Sequence, residues 1–257
     1  PDNPLTARVW VNRIWLHHFG EPLVENPSDF GLRTKQPIHL KLLDFLAGYL
    51  IESGWKTKKL HKLIMNSKVY QRSSKLTDAP DIAEKLAKQI EMDPGNRYFW
   101  KGNRRRMDLE QMRDSMLFVS KSSDERMFGR PTPITDQNNH RRTIYAFVER
   151  QNLPAIVQTF DFASADSSVA KRVTTTVPQQ ALFAMNSEFV HSRAKELAAT
   201  AEHEPNVSRK VAQLYLAVLG HQPSPEELKI ATEFLKTNQT VELAHVLLMT
   251  NEFTFID

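Results

Sequence analysis

Asn3-Pro4-Leu5-Thr6-Ala7-Arg8-Val9-Trp10-Val11-Asn12-Arg13-Ile14-Trp15-Leu16-His17-His18-Phe19-Gly20 spells out a helix from start to stop. Asn3 can accept a hydrogen bond from the first turn, Pro4 brings a preset φ to the first helical position, and Gly20 supplies a left-handed stop. Between them Leu5, Val9, Ile14, Trp15, Leu16 and Phe19 fall on more than one stripe, so the helix is expected to be covered on several sides.

The same punctuation recurs along the chain and decides the fold class. Pro37 and Gly54 frame Leu42, Leu43, Leu46, Tyr49 and Leu50, and Thr57 opens a segment carrying Leu60, Leu63 and Ile64. A weaker helix over 81–91 ends at Asp93-Pro94-Gly95. Asp108 with Gln111 makes a capping-box variant ahead of Leu109, Met112, Met116 and Val119. Helical spacing returns over 178–185 and again after Asn186-Ser187. Near the end Asn206 and Gly220 frame Val211, Leu214 and Val218; Ser224-Pro225-Glu226-Glu227 joins a cap, a first-turn proline and an acidic first turn; Thr240 opens Leu243, Val246 and Leu247. The expected fold is mainly α, with a multi-helix domain over 1–205 and a three-helix C-terminal subdomain over 206–257 packed on it. At most a small β-hairpin or short sheet interrupts it. Residues 143–149 alternate like a strand, and the β-branched run 173–177 is the best partner. Residues 121–142 lack periodicity and read as a long loop.

Composition bounds the function. With 257 residues, 40% hydrophobic and 25% charged, the chain is an ordinary globular protein, and no apolar run approaches a membrane span. It has no cysteine, which excludes disulfides, thiolate metal sites and covalent haem attachment. Pro1 in place of an initiator Met fits a piece of a longer polypeptide. Lys and Arg total 34 against 30 Asp and Glu, a net +4. The charge is unevenly spread: Lys56, Lys58, Lys59, Lys62, Lys68, Arg72 and Lys75 cluster without an acid, whereas the end beyond residue 200 is acidic. A basic run can steer phosphate or an acidic partner, or simply face water.

Candidate chemistry comes from four places. Arg8, Asn12 and Arg13 sit among apolar residues of the first helix, where an unpaired charge is costly, and Asp29 and Asp44 are available partners. The set fits either an anion-binding pocket or an ion-pair network locking loop to helix. Asp161 and Asp166, with Ser164 and Ser168, could bind calcium or work as an acid–base pair; the alternatives are capping or an ion pair with Arg150 or Arg172. With His140 and nearby arginines they outline a hydrolase across the 121–142 loop. Histidines occur without H-E-x-x-H, H-x-H or H-x-x-x-H spacing, so no metal site and no cofactor are expected. Arg104-Arg105-Arg106 follows Tyr98, Phe99 and Trp100, a pairing that nucleic-acid surfaces use. No nucleic-acid module surrounds it and the C-terminal end is acidic, so nucleic acid is not the expected partner.

Several stretches together resemble one family. They are 3–9 with 11–15, Pro27-Ser28-Asp29-Phe30-Gly31, Ser53-Gly54-Trp55 leading to Leu60-His61-Lys62-Leu63-Ile64, Asn103-Arg104-Arg105-Arg106-Met107-Asp108, Arg142-Thr143-Ile144-Tyr145, Thr159-Phe160-Asp161, and Thr175-Thr176-Val177-Pro178-Gln179-Gln180-Ala181-Leu182. The likeness is to the planctomycete-type domain of unknown function 1553 and covers nearly the whole chain. It implies the C-terminal part of a long exported protein, an extracytoplasmic setting, and neighbouring domains that often include a c-type cytochrome. It carries over no catalytic residue; Arg8, Arg13, Asp29, Arg105 and Asp161 stand on physical grounds alone. The expected role is a non-catalytic interaction module that docks on other domains of its parent, or on an envelope protein or polysaccharide.

Overall fold

The computed structural model describes residues 3–74 and 80–256; Lys75 of the basic run lies outside them. By compactness the chain falls into two units, each with its own apolar core.

The first unit comprises the described residues up to 105, together with 169–171. It holds α1 (Pro4–Phe19), α2 (Leu40–Glu52), α3 (Thr57–Met65) and α4 (Pro80–Met92). Asn3 caps α1 by accepting from Leu5 N–H, and Gly20 ends it at φ +76°. One broad stripe of α1 is buried, Ala7, Val11, Ile14, Trp15 and Phe19, and it packs on Leu43, Leu46, Ala47 and Leu50 of α2. Asn12 and Leu16 are buried as well, on the side where Leu5 and Val9 stay exposed, so the covering widens beyond one stripe towards the C-terminal end of the helix. At about 100° per residue, buried Leu16 falls within about 20° of both Leu5 and Val9. Leu60 and Ile64 of α3 close the same core.

The second unit comprises 106–168 and 172–256. It holds α5 (Leu109–Val119), α6 (Ala155–Thr159), α7 (Pro178–Asn186), α8 (Glu188–Ala201), α9 (Val207–Leu219), α10 (Pro225–Phe234), α11 (Thr240–Met249) and α12 (Asn251–Thr254). Capping boxes start α5 at Asp108 and α10 at Ser224. Val190, Ala194, Leu197, Ala198 and Ala201 give α8 a stripe of mostly small residues, which lets α11 lie close along it with Ala244, Leu247 and Leu248. α9 adds Val211, Leu214 and Val218. The C-terminal helices thus share one core with α5 and α8.

The sheet is small, and it is elsewhere than expected. β1 (Arg105–Arg106) pairs with β2 (Phe255–Ile256), and Met107 N–H donates to Thr254 carbonyl at 2.9 Å. Residues 143–149 form no strand with 173–177. Thr143–Tyr145 is a single 3-10 turn, because Asp114 Oδ1 accepts from both Thr143 N–H (2.7 Å) and Thr143 Oγ1 (2.6 Å). Past that turn the chain pairs locally with the loop, Phe147 N–H donating to Thr132 carbonyl.

Candidate functional site

The second unit concentrates its buried charge in two clusters. In the first, Arg106 and Asp161 meet at 3.2 Å with side chains 11% and 18% exposed. Asp161 also accepts from Thr175 N–H (2.8 Å) and Thr175 Oγ1 (2.7 Å). Arg106 donates as well to Gln180 Oε1, while Gln180 Nε2 donates to the carbonyls of Thr159 (2.9 Å) and Thr175 (3.3 Å). The Arg106 guanidinium lies 5.7 Å from the Phe160 ring centroid. Asp161 adopts φ +58°, a left-handed conformation that Asp tolerates better than most residues. Burial works against its charge, but the two Thr175 bonds and the Arg106 guanidinium outweigh burial and hold the carboxyl below the ordinary range. Three of the sequence stretches quoted above therefore converge on one closed network. Asp161 pairs with neither Arg150 nor Arg172: Arg172 instead takes Glu110 through two bonds of 2.8 and 3.0 Å and lies over Phe162.

The second cluster fixes the 121–142 loop. Arg113 is 4% exposed and Arg193 2%. Arg113 donates to the carbonyls of Arg141 (2.8 Å) and Asn139 and to Thr143 Oγ1. Arg193 donates to Ser122 Oγ (3.1 Å) and pairs with Glu196 (2.9 Å). Phe189 offers its ring to both guanidinium groups, at 5.1 and 5.3 Å. Burial pushes both arginines below their ordinary pKa. His140 sits in this cluster, with Nδ1 donating to Ser122 carbonyl (3.1 Å) and Nε2 facing Arg193 at 3.4 Å, so both ring nitrogens are engaged. Arg113 and Arg193 were not singled out from the sequence, although a signal existed. Leu109, Met112, Arg113 and Met116, and likewise Val190, Arg193, Ala194 and Leu197, follow i, i+3, i+4, i+7. An arginine stands on the core stripe of each helix.

Asp161, Asp166 and His140 are held by separate partners. Asp166 is exposed, and its N–H donates to Ser164 Oγ at 3.3 Å. One opening nearby, of about 680 Å³, is lined by Gln111, Asp114, Glu125, Arg142 and Glu252 as well as apolar residues, whereas another is mostly apolar. The latter, a groove of about 420 Å³, is lined by Ile144, Phe147, Val148, Leu153 and Phe162, together with Glu110, Asp114 and Arg172. Ile144 is 76% exposed, Phe147 49% and Val148 47%.

In the first unit, Arg8 Nε donates to Asp44 Oδ1 at 2.6 Å in a half-exposed pair. Asn12 is fully buried and clamps Val24, accepting its N–H (2.9 Å) and donating to its carbonyl (3.3 Å). Arg13 faces solvent, with no ion pair to Asp29. Asp29 instead closes its own turn by accepting Gly31 N–H at 2.8 Å, with Arg33 3.7 Å away. The aliphatic stem of Arg105 covers Gly20, where a Cβ would stand 3.4 Å from Arg105 Cδ.

Arg105 also faces a histidine pair that the sequence did not reveal, because its members lie 43 positions apart. His18 Nε2 and His61 Nδ1 are 2.7 Å apart and share a proton. Burial first, then His61, Arg105 and His17, pushes His18 below its ordinary 6.5. A histidine with a lowered native pKa resists the proton that the unfolded chain accepts, so stability falls as pH drops below about 6.5. Thermal melts of the chain from pH 8 to pH 5 should show that decline, and His18→Gln should flatten it. An equal slope in the variant would assign the effect elsewhere.

Among the described residues, no group of three or more His, Asp or Glu could hold a metal ion, and no helix is long and apolar enough to cross a membrane. Fold and clusters together define a mainly α-helical protein in which buried arginines fasten irregular chain to helices. The family follows from comparison: a model described as PSD1, protein of unknown function (DUF1553), matches residues 1–235, and the chain belongs to that family. Residues 236–257 lie beyond the match, yet α11 within them completes the core against α8. No curated protein and no solved structure matches the chain.

Proposed function

We propose that this chain is a non-catalytic helical interaction module of a larger, exported, multidomain protein, working outside the cytoplasm. The observation that carries this reading is the groove walled by Ile144, Phe147 and Val148, large side chains left open to solvent on a segment whose backbone is hydrogen-bonded to Asp114 and Thr132. Contiguous exposed apolar surface marks interaction sites more often than chemistry. Its apolar walls favour a protein segment, from another domain of the parent polypeptide or from an envelope protein, over a polysaccharide. A hydrolase would need two carboxylates, or a carboxylate and a histidine, converging on one reacting atom. Asp161 is instead saturated by Arg106 and Thr175, and His140 by Ser122 and Arg193.

The test is a photo-crosslinking residue at Phe147 of the full-length parent protein in its own cells. It should yield a discrete adduct, either to another domain of the parent or to one envelope protein. The same group at exposed Lys229 on α10 is the control. Equal labelling from both positions would remove the support for this reading.

A further inference from the structure

We propose that a further, smaller opening in the second unit is a binding site for a neutral monocyclic aromatic molecule of phenol size, with its ring inside and its hydroxyl at the mouth. The pocket measures about 190 Å³ and lies between α5, Phe183 of α7, the α7–α8 junction and the 134–137 stretch of the loop. Protein interiors leave few voids larger than a water molecule, and an engineered apolar cavity of about 150 Å³ accepts benzene. The available space therefore matches one ring with a small substituent.

The walls select for that ring. Met112 and Met116 present thioethers, which adapt in shape and favour aromatic neighbours, and Phe183 and Phe189 offer ring contacts. The mostly apolar walls make an ionic ligand of either sign costly to desolvate, and neither sign finds the pocket free of like charge. Asp136 lines it, and Glu188 beside it accepts from Gln137 Nε2 at 2.8 Å, so a carboxylate would meet like charge. Arg113 lines the other side with its Nη groups already committed to the carbonyls of Asn139 and Arg141, so an ammonium is repelled there too. Ser187 stands at the N-cap of α8, makes no side-chain capping bond, and lines the pocket. Its hydroxyl can exchange a hydrogen bond with a ligand hydroxyl. The exposed Gln137–Glu188 bond crosses from loop to helix beside it and is the contact to open on entry.

The experiment uses the whole chain, with methionine methyl groups isotopically labelled, titrated with 4-methylphenol, benzoate and benzylamine. Eight methionines give eight probes. For 4-methylphenol we expect saturable shifts confined to Met112 and Met116, with a dissociation constant of about 0.1–1 mM for a ligand of this size. Benzoate and benzylamine should bind at least about tenfold more weakly. Thr135→Trp at the exposed mouth should weaken 4-methylphenol by about tenfold or more while leaving the melting temperature of the unliganded chain within a few degrees. The proposal is overturned by non-saturating shifts, by shifts at other methionines only, by benzoate binding as tightly as the phenol, or by undiminished binding in the folded Thr135→Trp variant. Because the methyl shifts locate the ligand in the unmodified protein, the result does not depend on that variant folding.

Discussion

Asp161→Ala should destabilise the second unit by about 3–5 kcal/mol, the cost of stranding a buried charge by removing its partner. Arg106 would keep only Gln180 and the Phe160 face, and the N–H and hydroxyl of Thr175 would lose their acceptor. Alanine would also occupy φ +58°, where it lacks the local hydrogen bonding that lets Asp and Asn sit there. Asp161→Asn should cost clearly less, since it keeps the shape, the tolerance for that φ and an acceptor oxygen for Thr175. Urea denaturation of both variants separates the contributions, and equal losses would mean that the charge itself contributes little. The parent chain should also show acid sensitivity. The Asp161 pKa is depressed in the native state, so its contribution is present above the ordinary carboxylate range and is lost as pH falls through the native value.

The other large effect is expected at Leu248→Ala. Leu248 is fully buried on α11 against α8, within the core cluster that both helices share. Truncating a leucine at such a site costs about 2–5 kcal/mol, from lost burial plus the cavity left behind. The small residues Ala194, Ala198 and Ala201 on the facing helix already bring the backbones close, which leaves little room for the site to collapse and places the cost in the upper half of that range. Leu5→Ala on the exposed face of α1 is the matched control and should change stability by less than about 0.5 kcal/mol. A small loss at Leu248 would indicate that the α8–α11 interface is far looser than described. The position also lies beyond the 1–235 family match, so a large loss would show that the core depends on a residue outside the matched segment.

Helix starts and stops were legible because they are local chemistry. Asn3 with Pro4, Asp108 with Gln111, and Ser224 with Glu227 satisfy orphan N–H groups within three residues, and all three caps form. What the sequence concealed was decided at long range. Residues 143–149 alternate like a strand, but Asp114, 29 positions away, captures both polar groups of Thr143, and the alternation ends in exposed Ile144, Phe147 and Val148. Arg104-Arg105-Arg106 looks uniform in sequence, yet Arg105 lies over Gly20 beside His18 while Arg106 is buried on Asp161. Nothing within the run itself distinguishes them. Of the candidate site, Asp161 was found and its partners were not, because Arg106 lies 55 positions away within a run of like residues and Thr175 and Gln180 carry no charge.

The two arginine clamps have a consequence for how chains of this family can vary in length. Ser122 is held by Arg193, and Asn139, Arg141 and Thr143 by Arg113. In between, Arg141 Nη groups hold the carbonyls of Phe128 and Arg130, and Thr132 pairs with Tyr145 and Phe147. A stretch with almost no helix or strand is thereby fixed at nearly every step. Adding or deleting a residue there would slide a series of carbonyls off rigid guanidinium forks, whereas a polar turn such as 203–205 between α8 and α9 carries no such indexing. Insertions and deletions among relatives should accordingly gather in the ordinary helix connections and avoid the irregular stretch, the reverse of the usual pattern in which unstructured-looking sequence is where proteins change length.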